Sequence, residues 1–167
     1  YKKSKEFLLA EGNVKISDTE GNILITNKAT YDKLAGTIIT YDVAELILKE
    51  GYKITGKNIE YNTFEKIINS NFPSIYTDAD GNIVETSMFQ YQIIDNLFSS
   101  VGTIKIIDVN KNKYLFKELH VDTKKKEMIG SDISVTLDQE SFGISKESDP
   151  RFVANHILMT KNKTDLS

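Results

Sequence analysis

Residues 76–87 read YTDADGNIVETS, and the centre of this stretch, Asp78, Ala79, Asp80, Gly81 and Asn82, has the acidic and glycine content of a calcium loop. An EF-hand loop with Gly81 as its sixth residue needs an oxygen ligand at the first position and a bidentate Glu at the twelfth. Tyr76 and Ser87 stand there instead. Sixty residues earlier, Asp18, Thr19, Glu20, Gly21 and Asn22 repeat the pattern, and Ile16 and Asn27 occupy the two ligand positions. Both copies fail as metal loops in the same way. What they share is Asp, Gly and Asn ahead of alternating apolar residues, the chemistry of a tight reversal feeding a β-strand.

The recurrence sets a ruler of thirty residues along the whole chain. Tyr31, Tyr61, Tyr91 and Val121 fall in one column, headed by Tyr1, and Ala29, Ile59, Phe89 and Leu119 fall in another two positions earlier. The residue between them is polar each time (Thr30, Glu60, Gln90, His120), as is the residue after (Asp32, Asn62, Gln92, Asp122). Alternation with period two marks a strand with one buried face. Leu8, Ile38, Ile68, Phe98 and Met128 form a further column, Ile16, Leu46, Tyr76 and Ile106 another, and Gly21, Gly51 and Gly81 align with Lys111 at the turn. Each unit has room for two or three strands of about eight residues. After Val135 the spacing slips, and residues 154–159 (ANHILM) restore a strand pattern. Residues 43–50 (VAELILKE) and 64–69 (FEKIIN) could each form a turn or two of helix. Both are short for that, and both occupy columns that read as strands elsewhere. One rung buries nothing alone, whereas rungs side by side join their apolar faces into a continuous trough. The spacing predicts an elongated antiparallel β structure, rolled or folded over itself, with open strands at each end.

The 167 residues fit a single domain over 1–167, and 40% apolar content supplies a core. A net charge of -3, from 21 basic and 24 acidic residues spread along the chain, shows no basic stripe for nucleic acid. The one dense basic run, Lys124, Lys125 and Lys126, sits beside Asp122 and Glu127 and reads as a solvated turn. Without Cys there is no disulfide framework, thiol nucleophile or Cys-based zinc site. No apolar run approaches the length of about 18 residues that suggests a membrane-spanning helix. The start at Tyr1 reads as a mature or excised segment.

Catalytic patterns are sparse. His120 and His156 have no companion at HxxxH or HExxH spacing, and His120 lies in a polar column that should face water. No GxSxG elbow and no Gly-rich phosphate loop is present, and nothing marks two carboxylates as an acid/base pair. The recurring positions are apolar and aromatic. The Tyr column reads either as core packing with hydroxyls at the rim or as the lining for a long apolar ligand.

A family resemblance joins these readings. Glu11, Gly12, Asn13, Val14, Lys15 and Ile16, followed by residues 21–32 (GNILITNKATYD), resemble the GNV, turn and closing Y-D signature of the OstA-like domains of lipopolysaccharide transport proteins, the LptA, LptC and LptD types, with Ala29 two residues ahead of Tyr31. The later units, and residues 149–157 (DPRFVANHI), look most like the periplasmic portion of the LptD type, which precedes an outer-membrane barrel. The likeness covers nearly the whole chain through short, degenerate motifs. Proteins of that type carry a barrel and disulfide-forming cysteines, which this sequence lacks, so an LptA-like relative stays open beside a portion of a larger outer-membrane protein.

The resemblance implies a β-jellyroll with an apolar interior that conducts lipopolysaccharide acyl chains, at the periplasmic side of the Gram-negative outer membrane, without catalysis or cofactor. On that expectation Ala29, Tyr31, Ile38, Ile59, Tyr61, Ile68, Phe89, Tyr91, Phe98, Leu119 and Val121 line the groove, and a charged residue at Phe89 or Tyr91 interrupts lipid contact while the domain stays folded. An edge strand over 7–14, with Phe7, Leu9 and Val14, pairs with an LptA-like bridge protein, and residues 154–159 lie towards the barrel and its lipoprotein partner. Two rivals remain: a structural or adhesive β-solenoid with a filled core, and a carbohydrate-active enzyme on a repetitive β scaffold.

Overall fold

The computed structural model describes residues 6–49, 51–138, 150–160 and 163–166. Tyr1 at the head of its column, Glu50 and Asp149 lie outside them. The described chain is an antiparallel all-β structure of fifteen strands, and no helix occurs among the described residues. In order the strands are β1 (Phe7–Ser17), β2 (Ile23–Asp32), β3 (Thr37–Thr40), β4 (Val43–Ile47), β5 (Lys53–Lys57), β6 (Glu60–Asn62), β7 (Ile67–Ser70) and β8 (Ser74–Thr77). There follow β9 (Ile83–Thr86), β10 (Phe89–Gln92), β11 (Leu97–Ile107), β12 (Lys113–Asp122), β13 (Glu127–Thr136), β14 (Arg151–Thr160) and β15 (Lys163–Leu166). The helical alternatives are absent: β4 covers Val43–Ile47, and Phe64 and Glu65 belong to the turn before β7.

Pairing divides the strands between two layers. The second half of β2 pairs with β3, and the ladder continues through β6, β7 and β10 to the first half of β11. The first half of β2 pairs with β4, and that ladder runs through β5, β8 and β9 to the second half of β11. Long strands at the two ends belong to both layers, with register shifts between Glu11 and Val14 in β1 and between Val101 and Ile104 in β11. The expected units of two or three eight-residue strands are thus replaced in the middle by strands of three to five residues, because every traverse bends at its midpoint to pass from one layer to the other.

Small hydroxyl residues from three columns sit at those bends. Thr26, Thr40, Ser70, Ser74, Thr86 and Ser100 are all buried. Backbone carbonyls that leave the ladder at a bend need donors, and hydroxyls supply them: Thr40 Oγ1 to Ile59 O at 3.3 Å, Ser70 Oγ to Lys57 O at 2.7 Å, and Ser100 Oγ to Met88 O at 2.7 Å. No buried side-chain polar atom is left without a partner among the described residues.

The turns alternate between two kinds, each at thirty-residue spacing. One kind joins strands of the first layer, and its last residue is left-handed at Gly36, Lys66, Asn96 and Lys126. The other joins strands of the second layer and is left-handed at Gly21, Gly51, Gly81 and Lys111. Glycine is the low-cost occupant there; an L side chain costs roughly 1–2 kcal/mol in that region. Successive first-layer turns are linked by Thr63 N to Gly36 O, Ile93 N to Lys66 O and Thr123 N to Asn96 O, at 2.8, 3.0 and 2.9 Å. Between the layers lies the core, which includes Ile54, Ile59, Ile68, Phe98 and Leu119, each at most 1% exposed.

Candidate functional site between the layers

The turn quoted first shows why it is not a metal loop. Asp78 Oδ1 accepts from the amides of Asp80 and Asn82 at 2.9 and 2.8 Å, and Oδ2 accepts from Asn82 Nδ2 at 2.6 Å. Asp18 and Asp108 make the same three bonds with their own turns. The carboxylates are consumed by turn formation, and no group of His, Asp or Glu suited to a metal ion occurs among the described residues. Each turn Asn also reaches the next rung: Asn22, Asn82 and Asn112 Oδ1 accept from the amides of Lys49, Val109 and Asp138 at 3.1, 3.2 and 2.9 Å. Sequence reasoning assigned these Asn to turns and missed the ladder, although their thirty-residue spacing carried the signal.

Aromatic side chains bind the layers together. Tyr76 of β8 meets Phe98 of β11 at 5.0 Å between ring centroids, Tyr52 stacks on Tyr76 at 5.6 Å, and Phe89 stacks on Phe98 at 5.9 Å. Such pairs contribute about 0.5–1.5 kcal/mol beyond area burial. Of the predicted lining residues, Ala29, Ile38, Ile59, Tyr61, Ile68, Phe89, Tyr91, Phe98 and Leu119 are buried, and Tyr31 and Val121 are half-buried.

Among the described residues the interior is not one continuous trough, since side chains at most 2% exposed interrupt it. Two separate clefts open where the turns of the layers face each other. The first, about 290 Å³, is lined by Leu8, Ile16, Leu24, Tyr31, Ile38, Leu46 and Tyr61, with Asp18 and Thr63 at its rim. The second, about 260 Å³, is lined by Tyr52, Tyr76, Val84, Ile106, Tyr114, Val121, Thr123, Met128 and Met159, with Asp80, Lys126 and Glu127 at its rim. Between them Leu48, Ile54, Ile68, Tyr91 and Phe98 fill the space, each at most 2% exposed. The predicted residues are thereby sorted: Tyr31, Ile38 and Tyr61 line the first cleft, Val121 lines the second, and the other seven make the filled interior. Leu8, Ile16, Leu46, Tyr76 and Met128 stood in the apolar columns but were not named as lining; which columns end at an opening depends on where the layers part. The expectation that a charge at Phe89 or Tyr91 leaves the domain folded is corrected by their burial at 4% and 2%, since an unpaired charge there costs several kcal/mol.

Polar contacts cross the openings. Tyr61 Oη donates to Asp18 Oδ2 at 3.2 Å, Lys66 Nζ lies 2.9 Å from Glu20 Oε1, and Lys126 Nζ lies 2.7 Å from Asp80 Oδ2. Burial pushes the Asp18 carboxyl up, but hydrogen bonds from Asn22, Glu20 and Tyr61 outweigh it and hold it below the usual carboxylate range. Burial, aided by the bond to Asp108, pushes the Tyr114 phenol up to about 12. Burial likewise raises Tyr61 and Tyr76. His120 is part-buried between Ser99 Oγ and Glu118 Oε1, both at 3.0 Å, and His156 is exposed.

Strand β1 pairs only with β2, so its other edge is unpaired among the described residues, with Phe7, Leu8 and Leu9 at least half exposed and Val14 packed against the core. Residues 154–159 fall within β14, which pairs with β13 along its length and with β15 from Ile157 to Thr160. No protein-family model matches the chain, and no characterised protein matches it in sequence.

Proposed function

We propose that this chain is a lipid-carrying bridge domain of the lipopolysaccharide transport kind: a β-jellyroll of the OstA type that takes acyl chains between its two layers while the sugar stays outside. It acts as a conduit, not an enzyme, on the periplasmic side of the Gram-negative outer membrane. The observation that carries the reading is the pair of apolar clefts at opposite ends of one two-layered core. Each methylene moved from water into such a cleft gains about 0.8 kcal/mol. The unpaired β1 edge suits pairing with a preceding domain of the same kind, an LptA-like bridge protein. The β14 end then faces the outer-membrane barrel and its lipoprotein partner.

Photo-crosslinkers at Tyr31 and Val121, which line the clefts without being fully buried, test this in the assembled transport pathway. Adducts with lipopolysaccharide at both positions are expected. A folded domain that yields none at either removes the proposal. A second reading, an interaction module with a dry core, draws on the filled middle and on a groove of about 580 Å³ on the outer surface beside Phe72, Pro73 and Ile75. It predicts adducts with protein alone.

A further inference from the structure

Three of the four second-layer turns carry Asp at the first position and Asn at the fifth: Asp18 and Asn22, Asp78 and Asn82, Asp108 and Asn112. The second turn breaks the rule at both positions, with Leu48 and Tyr52. Its reversal still closes through backbone bonds, Leu48 N to Tyr52 O at 2.8 Å and Gly51 N to Leu48 O at 2.9 Å. The two side chains released from turn duty point inward instead, with Leu48 2% and Tyr52 8% exposed. Tyr52 Oη crosses between the layers to donate to Thr123 O at 2.9 Å, and Thr123 Oγ1 also lies 3.3 Å from Tyr91 Oη. Tyr52 and Thr123 both line the second cleft and neither lines the first, so the departure from the repeat forms part of the wall that closes the second cleft off.

The geometry points to a plug: Leu48 and Tyr52, latched to Thr123, divide the lipid path into two acyl-binding sites, and a chain passes from one to the other only when that turn withdraws. This rests on the acyl-carrying reading and adds its gate. The clefts share no lining residue, and Leu48, Tyr91 and Phe98, each at most 2% exposed, belong to neither lining. An asparagine and an aspartate at positions 52 and 48 would turn back to cap their own loop, as in the other three turns, and leave the middle open.

The test uses the purified chain and two probes, dodecanoic acid and octadecanoic acid, each with a photoreactive diazirine at its far end; adducts are mapped by mass spectrometry. In the unaltered protein, adducts should fall on the two clefts and leave Ile68, Tyr91 and Phe98 unlabelled with either probe. In Leu48→Asp/Tyr52→Asn, octadecanoic acid should label those middle residues. Should that variant not fold, Tyr52→Phe removes only the hydroxyl that holds Thr123, and middle labelling should rise about fivefold, the factor one hydrogen bond of ordinary net strength sets. Middle labelling in the unaltered protein, or none in a folded variant while both clefts are labelled, overturns the plug and leaves the carrier intact. No adduct in either cleft of the folded, unaltered protein overturns the carrier reading, and the gate falls with it.

Discussion

Phe116 and Gly130 occupy, one repeat later, the positions held by Thr86 and Ser100, and the ring takes the space that a Cβ on Gly130 would need, with Cε1 2.6 Å from it. In the earlier repeat the two hydroxyls hydrogen-bond each other at the bend. In the later one an aromatic ring replaces one hydroxyl and an absent side chain replaces the other. The bend survives because the pair changes together.

Exchange at one member alone should therefore be costly. Gly130→Ser overfills the site and should lose about 1–3 kcal/mol, and Phe116→Thr should leave a cavity worth about 3–5 kcal/mol. The double variant restores the earlier repeat's pair, and its loss should fall short of the sum by about 0.5–3 kcal/mol. Urea denaturation of the four proteins measures this; strict additivity refutes the coupling.

Asp18 ties pH to the first cleft. Its carboxyl lies below 3.8 in the folded protein, so the folded state binds fewer protons than the unfolded state in that window. The stabilisation is fully present above pH 3.8 and is lost as pH falls through the folded value. Asp18→Asn should be less stable at neutral pH, and its deficit should shrink on acidification. A deficit independent of pH counts against the assignment.

Tyr114 acts at the other extreme. Raised from 10.0 to about 12 by burial and by the bond to Asp108, it keeps its proton in the folded state after the unfolded chain has lost it. Stability is intact below pH 10.0 and falls as pH rises to about 12. Tyr114→Phe should flatten that alkaline decline, which chemical denaturation at stepped pH will show.

Phe98 joins the layers through Tyr76 and Phe89 and is 1% exposed. Phe98→Ala should cost about 3–5 kcal/mol. Truncation of Ile94, 71% exposed in a first-layer turn, should stay within about 0.5 kcal/mol. Thermal melts of the two variants should separate clearly; equal shifts would mean that the core lies elsewhere.

Leu9 is half exposed on β1, whose outer edge is unpaired among the described residues. Leu9→Pro removes a backbone donor from that strand and disfavours any ladder built on it. If the chain joins a partner strand there, the variant should lose concentration-dependent association in sedimentation while retaining its far-ultraviolet β signal. Unchanged association would place the contact on another surface.

The thirty-residue ruler made much of this legible. Period-two alternation around Tyr31, Tyr61 and Tyr91 gave the inward face, and Gly21, Gly51 and Gly81 marked the reversals, because both are local consequences of backbone geometry. Bends at Thr40, Ser70 and Ser100 were invisible, since a small hydroxyl in a strand reads like any other polar residue until a carbonyl leaves the ladder beside it. The two clefts were not legible either, because an apolar column looks the same whether it ends against another side chain or against an opening.

Local patterns along the chain settled the strands, the turns and which side chains face inward, since those depend on neighbours a few residues apart and on a repeat that copies them. The facing of the layers decided the rest. Tyr61 with Asp18, Lys66 with Glu20, Lys126 with Asp80 and Tyr52 with Thr123 are partners at separations of 43, 46, 46 and 71 residues. None is a multiple of thirty, because the offset between layers is fixed by how bent strands stack side chain against side chain, and that is a property of the packed interior alone.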